Sequence, residues 1–245
     1  MGGISVLKEL YRLMPHEDFI YMGDSKNAPY GERETEEVYR LSKGWVEYFI
    51  GKRAKAIVIA CNTATSAAAA RLRAEYPQMP IIGLEPALKP AALAYGGTGR
   101  TILVLATSLT LREEKFKQLL AQYRDKARIC PVPAPELVEL VEQDDIDGAR
   151  MDAYLSALLS PYIDEDIAAV VLGCTHFPFA KHAIAKALGR ETEFFDGAFG
   201  ASKQLKRQLE KGQLLADRNR PGSVLIENST GSPEMLSLSE RLFAK

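Results

Sequence analysis

Two cysteines stand in matching places half a chain apart. Cys61 follows the apolar run Ile57-Val58-Ile59-Ala60 and precedes Asn62-Thr63. Cys174 follows Val170-Val171-Leu172-Gly173 and precedes Thr175-His176. Each is a β-type run ending in a small residue, then a thiol, then polar side chains, then a helix-like stretch. Ligands of parallel α/β proteins bind at the carboxyl ends of strands, so two such thiols can face one ligand from opposite sides. The thiolate is the useful form of cysteine, and helix N-termini or a neighbouring imidazolium favour it. Both cysteines precede an expected helix start, and His176 is two residues from Cys174. The chemistry this predicts is proton transfer, one sulfur accepting while the other donates. Cys130, before Pro131, has no polar escort and reads as a structural residue.

The elements that must position these thiols follow from periodicity. Short β-branched runs fall at 18–22, 56–60, 81–83, 101–106, 168–173 and 193–195. Helical patterns cover 34–50, 65–75, 111–123 and 151–159. This alternation predicts parallel sheets with right-handed crossovers. Gly96-Gly97-Thr98-Gly99 punctuates the chain before a fresh strand and places a domain boundary near 88–99. The run Gly222-Ser223-Val224-Leu225-Ile226-Glu227 reads as an edge strand. Trp45, the single tryptophan, falls in an amphipathic stretch and reads as packing.

Bulk composition excludes several function classes. The 245 residues, 47% hydrophobic and 26% charged, are ordinary for a globular protein with ample core. Thirty-one basic and 32 acidic residues leave a net charge of −1, with no basic stripe for nucleic acid. Three cysteines without CxxC spacing fit a reducing cytosol rather than a disulfide framework. No apolar run reaches the ~18 residues of a membrane span, and no signal-peptide pattern opens the chain. His16 and His182 lack partners at metal-ligand spacing, so no metal site is expected. Neither a GxGxxG nor a P-loop is present, so no nucleotide cofactor is expected.

The two cysteine segments resemble the glutamate racemases of the aspartate/glutamate racemase superfamily. Further matching segments follow in order: Gly23-Asp24-Ser25-Lys26-Asn27-Ala28-Pro29-Tyr30-Gly31, Gly83-Leu84-Glu85-Pro86, Leu105-Ala106-Thr107-Ser108-Leu109-Thr110, Leu137-Val138-Glu139-Leu140-Val141-Glu142 and Phe195-Asp196-Gly197. The resemblance implies two pseudo-symmetric doubly wound α/β domains with mostly parallel sheets and an active site at their interface. The first would comprise residues 1–90 and 198–245, the second 91–197. It implies a cofactor-independent, cytoplasmic enzyme that interconverts L- and D-glutamate for peptidoglycan, with a homodimer common among such enzymes. Carried over residue by residue, Cys61 would take the α-proton of the D-enantiomer and Cys174 that of the L-enantiomer. Glu142 would sit beside His176. Pro29, Tyr30, Gly31, Asn62, Thr63, Thr107, Thr110 and Thr175 would bind substrate.

Several of these residues also have plain structural readings. Thr107 and Thr110 suit an N-cap and first turn. Glu142, in an acidic run with Glu139, Asp144 and Asp145, suits a solvated face. Tyr30 suits a loop anchor, and Asp24 a turn. The resemblance also has one departure: the family's opening strand, ending in Asp-Ser-Gly, has no counterpart among these residues, which enter at Gly2-Gly3. In a doubly wound sheet the first strand is usually interior, so the expectation is that the true start lies upstream of these residues, or that another segment fills the slot, or that the first domain is destabilised. Two alternatives therefore stand beside the leading expectation. One is a racemase or isomerase of the same superfamily acting on aspartate or a hydantoin. The other is a catalytically impaired binding paralogue.

Overall fold

A computed structural model describes residues 1–244. In chain order the elements are α1 (Gly3–Leu13), β1 (Phe19–Gly23), α2 (Thr35–Gly51), β2 (Ile57–Ile59), α3 (Asn62–Glu75), β3 (Ile81–Gly83) and α4 (Leu88–Tyr95). There follow β4 (Thr101–Ala106), α5 (Ser108–Arg112), α6 (Glu114–Tyr123), β5 (Arg128–Pro133), α7 (Glu136–Glu142) and α8 (Ala149–Leu159). The chain ends with β6 (Ile167–Leu172), α9 (Lys181–Leu188), β7 (Glu193–Asp196), α10 (Gly197–Lys211), β8 (Val224–Asn228) and α11 (Pro233–Ala244). All strand pairs are parallel. No helix among the described residues is long and apolar enough to cross a membrane. Two compact units result: Met1–Glu85 together with the segment from Ala198 onward, and Pro86–Gly197.

The unit Pro86–Gly197 is built on a four-stranded sheet in the order β5-β4-β6-β7. Every residue of β4 and β6 is buried, as a parallel sheet covered on both faces requires. The two-residue pleat sorts β4 cleanly. Leu103 and Leu105 pack with Leu137, Leu140, Met151, Leu155 and Ile184 from α7, α8 and α9. Ile102 and Val104 pack with Leu88, Ala91 and Phe116 from α4 and α6. The sheet is thus doubly wound. Strand β5 was not anticipated, because Pro131 and Pro133 argue against a strand. Its place at the sheet edge, paired only with β4, removes the objection. The helix expected over 111–123 is instead two helices, α5 and α6, broken at Glu113, whose backbone is extended.

The other unit holds two separate strand pairs, β1-β8 and β2-β3. The β2-β3 pair is covered on both faces. Ile82 joins Val6, Leu10, Ala201 and Leu205 of α1 and α10. Ile57 and Ile81 join Tyr39, Val46, Ala68 and Leu72 of α2 and α3. The run at 222–227 does become a strand, β8, in register with β1 from Phe19↔Val224 to Gly23↔Asn228. Gly3, at the start of α1, is wedged against both pairs. A Cβ there would lie 2.9 Å from Tyr21 Cε2 and 3.1 Å from Ala60 Cβ.

Candidate active site

Registry fixes where the polar groups emerge. Ile59 pairs with Gly83 in one unit, and Leu105 pairs with Leu172 in the other. Cys61 and Glu85 each stand two residues past the first pair; Thr107 and Cys174 each stand two past the second. Each set leaves the carboxyl edge of adjacent parallel strands, where loops gather functional groups.

Cys61 is half-buried and caps α3 in an extended conformation. Its carbonyl accepts from the Thr65 N–H at 2.9 Å, closing the first helical turn. Asn62 and Thr63 form that turn, which holds no acidic residue, so its peptide dipoles favour an anion. The turn is pinned from behind. Thr65 Oγ1 accepts from the Leu84 N–H at 2.9 Å, and a Cβ on Gly83 would lie only 2.3 Å from Thr65 Cγ2.

The Pro29-Tyr30-Gly31 segment enters a single 3-10 turn, Tyr30–Glu32, that packs against α3. The Tyr30 hydroxyl donates to Asp24 Oδ2 at 2.5 Å. Burial, reinforced by that carboxylate and by the nearby Cys61, pushes the phenol far above its ordinary pKa. Asp24 also accepts from Trp45 Nε1 at 2.8 Å and from Asn27 Nδ2 at 2.9 and 3.0 Å. Burial pushes its carboxyl up, but the hydrogen bonds outweigh burial and hold it below the usual range. Sequence reasoning missed this network. Trp45, read as packing, is a donor to Asp24, and only the spacing of Asp24 and Asn27 within one turn signalled anything.

In the second unit, Gly173 brings β6 against β4. Its N–H donates to the Leu105 carbonyl at 2.7 Å, and a Cβ would lie 2.7 Å from Ala106 Cβ and 3.0 Å from that carbonyl. Cys174, half-buried, follows in a turn rather than at an α-helix start. This corrects the expectation drawn from sequence: a 3-10 segment, Phe177–Ala180, with Pro178 inside it, separates the thiol from α9. What Cys174 has instead is an imidazole. Its sulfur lies 3.5 Å from His176 Nδ1, and His176 Nε2 lies 2.6 Å from Glu142 Oε1 at the end of α7.

The electrostatics of this relay fix its protons. Burial lowers the pKa of His176 despite the carboxylate, so the ring is neutral. Burial pushes Glu142 up, yet hydrogen bonds and neighbouring positive charge, the bond from His176 foremost among them, together outweigh it and bring the carboxyl down to about 2. A carboxylate cannot donate, so Nε2 carries the ring proton and Nδ1 offers its lone pair to the Cys174 thiol. Glu142 is therefore no solvated residue of an acidic face: 27% of its side chain is exposed, against 16% for His176. Thr175 is buried next to the thiol. Thr107 caps α5, accepting from the Thr110 N–H at 3.3 Å, and the two hydroxyl oxygens lie 3.0 Å apart. Their plain reading as cap and first turn is thus satisfied within the fold.

The arrangement can move protons at sulfur. The Asp/Glu/Hydantoin racemase family model matches residues 5–198. The chain is 46% identical over 242 residues to the glutamate racemase of Clostridium perfringens, covering 99% of this chain and 92% of that one. Among solved structures, it is similar to Escherichia coli glutamate racemase in complex with L-glutamate and the activator UDP-MurNAc-Ala. The TM-score there is 0.85 at 27% identity, over 98% of this chain and 91% of that one. It is also similar to glutamate racemase from Francisella tularensis in complex with D-glutamate. There the TM-score is 0.82 at 25% identity, over 100% and 90% of the two chains. Agreement of the family model with identity along nearly the whole length leaves one conclusion: this chain belongs to the Asp/Glu/hydantoin racemase family.

Proposed function

We propose that this isomerase is a cytoplasmic glutamate racemase that interconverts L- and D-glutamate without a cofactor. The observation that carries the reading is the Cys174–His176–Glu142 relay in one unit, with a second thiol, Cys61, at the N-cap of α3 in the other. An amino acid's Cα–H is a very weak acid. Its removal needs a base placed in line and stabilisation of the charge that develops. In the L-to-D direction His176 Nδ1 takes the Cys174 proton, and the resulting thiolate removes the α-proton. Cys61, as the thiol, then delivers a proton to the opposite face of the carbanion. The D-to-L direction reverses each transfer. Every turnover leaves the sulfurs with exchanged protonation states and consumes no electron or co-reactant.

The N–H groups of the first turn of α3, with Asn62, Thr63 and Thr175, suit the amino and carboxylate groups of the substrate. Pro29, Tyr30 and Gly31 in the Cys61 unit, and Thr107 and Thr110 in the Cys174 unit, are assigned to substrate binding on the same reading. Supply of D-glutamate for peptidoglycan fits the glutamate racemases that share the chain's length, and assembly as a homodimer is part of the same proposal. The test is isotope exchange. In D₂O the enzyme should replace the α-proton of either enantiomer, and Cys61→Ala and Cys174→Ala should each abolish racemisation in both directions. Folded protein that exchanges neither enantiomer overturns the reading. Faster exchange of aspartate than of glutamate overturns the substrate.

A further inference from the structure

The Asp24 carboxylate joins three parts of one unit. It follows β1 directly. Its two oxygens accept from Asn27 in its own turn, from Tyr30 in the loop that packs on α3, and from Trp45 on α2. The flanks of the turn are tied down separately. The Lys26 N–H donates to Ser229 Oγ at 3.0 Å, Asn228 Nδ2 donates to Ser25 Oγ at 2.9 Å, and Arg33 Nε donates to the Asn27 carbonyl at 2.6 Å. The loop tip at Pro29–Gly31 is held to the body by the Tyr30 hydroxyl. That hydroxyl is committed to Asp24, and the phenol lies within electrostatic range of Cys61.

We infer that Asp24 is a positioning residue: its carboxylate, fixed by Trp45, holds Tyr30 and the Pro29–Gly31 loop against the Cys61 end of α3 and so sets both substrate binding and access to that thiol. The binding half of this inference rests on the racemase reading; the access half does not. A purely structural carboxylate would lower thermal stability and leave a folded enzyme's KM unchanged. A positioning carboxylate acts on KM and on Cys61 while the rest of the molecule stays folded. Hydrogen bonds to a charged acceptor are worth enough that losing one loosens a loop about tenfold or more.

The experiment compares wild type with Asp24→Asn, Asp24→Ala and Tyr30→Phe. Two readouts are taken well below the melting point: racemisation kinetics with both enantiomers, and the alkylation rate of each cysteine by iodoacetamide, resolved by peptide mass. Asp24→Asn keeps one acceptor oxygen, and Tyr30→Phe removes one hydroxyl, so both remain informative if Asp24→Ala fails to fold. The expected result is a KM raised about tenfold for both enantiomers, with kcat changed less. Alkylation of Cys61 should change severalfold, with Cys130 and Cys174 as unmoved internal controls. Asp24→Asn should be milder than Asp24→Ala. Selective change at Cys61 in protein whose wild type does not racemise glutamate would support the positioning role and overturn the racemase reading. Wild-type KM and wild-type Cys61 reactivity in folded Asp24→Asn and Tyr30→Phe would overturn the inference.

Discussion

Glu142→Gln isolates the one charge in the Cys174 relay. Glutamine keeps the side chain's length and an oxygen that can accept from His176 Nε2, so shape and tautomer survive while the negative charge goes. Within the relay that charge acts when His176 becomes an imidazolium, which is when Cys174 becomes a thiolate. A hydrogen bond to a charged group contributes about 1.5–3 kcal/mol against about 0.5–1.5 for a neutral one. Both side chains are less than a third exposed, so solvent screening removes little of the difference. A loss of about 1–1.5 kcal/mol is about tenfold in the population of the thiolate–imidazolium pair. The two enantiomers have equal free energy in water, so kcat/KM must fall by the same factor in both directions, and steady-state rates alone cannot say which sulfur is impaired. Isotope effects can. With α-deuterated L-glutamate, whose deuteron Cys174 removes in the proposed mechanism, the primary effect should grow as that step becomes more limiting. With α-deuterated D-glutamate it should shrink. The acid limb of kcat/KM should also move to lower pH, because His176 loses the partner that favours its charged form. Equal isotope effects from the two substrates, with an unmoved acid limb and wild-type rates, would refute the relay.

Other predictions rest on close approaches and on the same buried ionisable pair. Gly173→Ala places a Cβ 2.7 Å from Ala106 Cβ and 3.0 Å from the Leu105 carbonyl; the strand ends must shift, costing about 1–3 kcal/mol. Denaturant unfolding should read that cost, and kcat should fall further because Cys174 moves with the backbone. Gly83→Ala meets Thr65 Cγ2 at 2.3 Å. It should destabilise by a similar amount, and Thr65→Ser, which removes that methyl but keeps the hydroxyl on the Leu84 N–H, should restore much of the loss in the double variant. Acid unfolding should carry the signature of the relay. The folded-state pKa values of His176 and Glu142 lie below their ordinary 6.5 and 4.5, the latter at about 2. The unfolded chain therefore binds more protons, and stability is full above pH 6.5. It declines as pH falls below that value for His176, and from 4.5 toward 2 for Glu142. Glu142→Gln should flatten the lower part of that curve in Tm-against-pH measurements.

Periodicity made most strands legible because a parallel sheet buried on both faces writes itself as an unbroken apolar run. Ile81–Gly83 and Thr101–Ala106 have the bounds that pattern predicts, and the run before Cys174 is displaced by a single residue. Strand β5 stayed hidden because the local rule against proline depends on where a strand lies in its sheet, which is a property of the tertiary fold. The same distinction separates what was readable at the site. The thiols were conspicuous because each immediately follows a strand. Glu142 in its acidic run read as solvent-facing, since the partner that draws it inward, His176, is 34 residues away. Trp45 read as packing because an indole on an amphipathic helix usually is. Its bond to Asp24 spans 21 residues and leaves no local mark. Kinship supplied the role of Glu142; nothing supplied that of Trp45.

The two halves share a device and then diverge in how they tune it. In each, a cysteine stands two residues past the end of a strand whose last residue is paired with a parallel neighbour. Beyond that point Cys61 caps a 14-residue helix, whereas Cys174 enters a turn that delivers an imidazole held by a carboxylate. A helix terminus offers a fixed partial charge and no proton. An imidazole offers a proton acceptor whose own charge appears only when the thiol ionises. Racemisation at equilibrium demands that the two directions balance overall, and that demand constrains the product of the steps rather than the chemistry at either sulfur. Unlike supports can therefore serve mirror-image tasks, provided each lowers its own barrier far enough that neither proton transfer starves the other. On this argument, improving one thiol alone, by adding a basic group beside Cys61, gains little turnover while the Cys174 step remains limiting. It gains most in Glu142→Gln's opposite case, where the Cys61 step is the slow one.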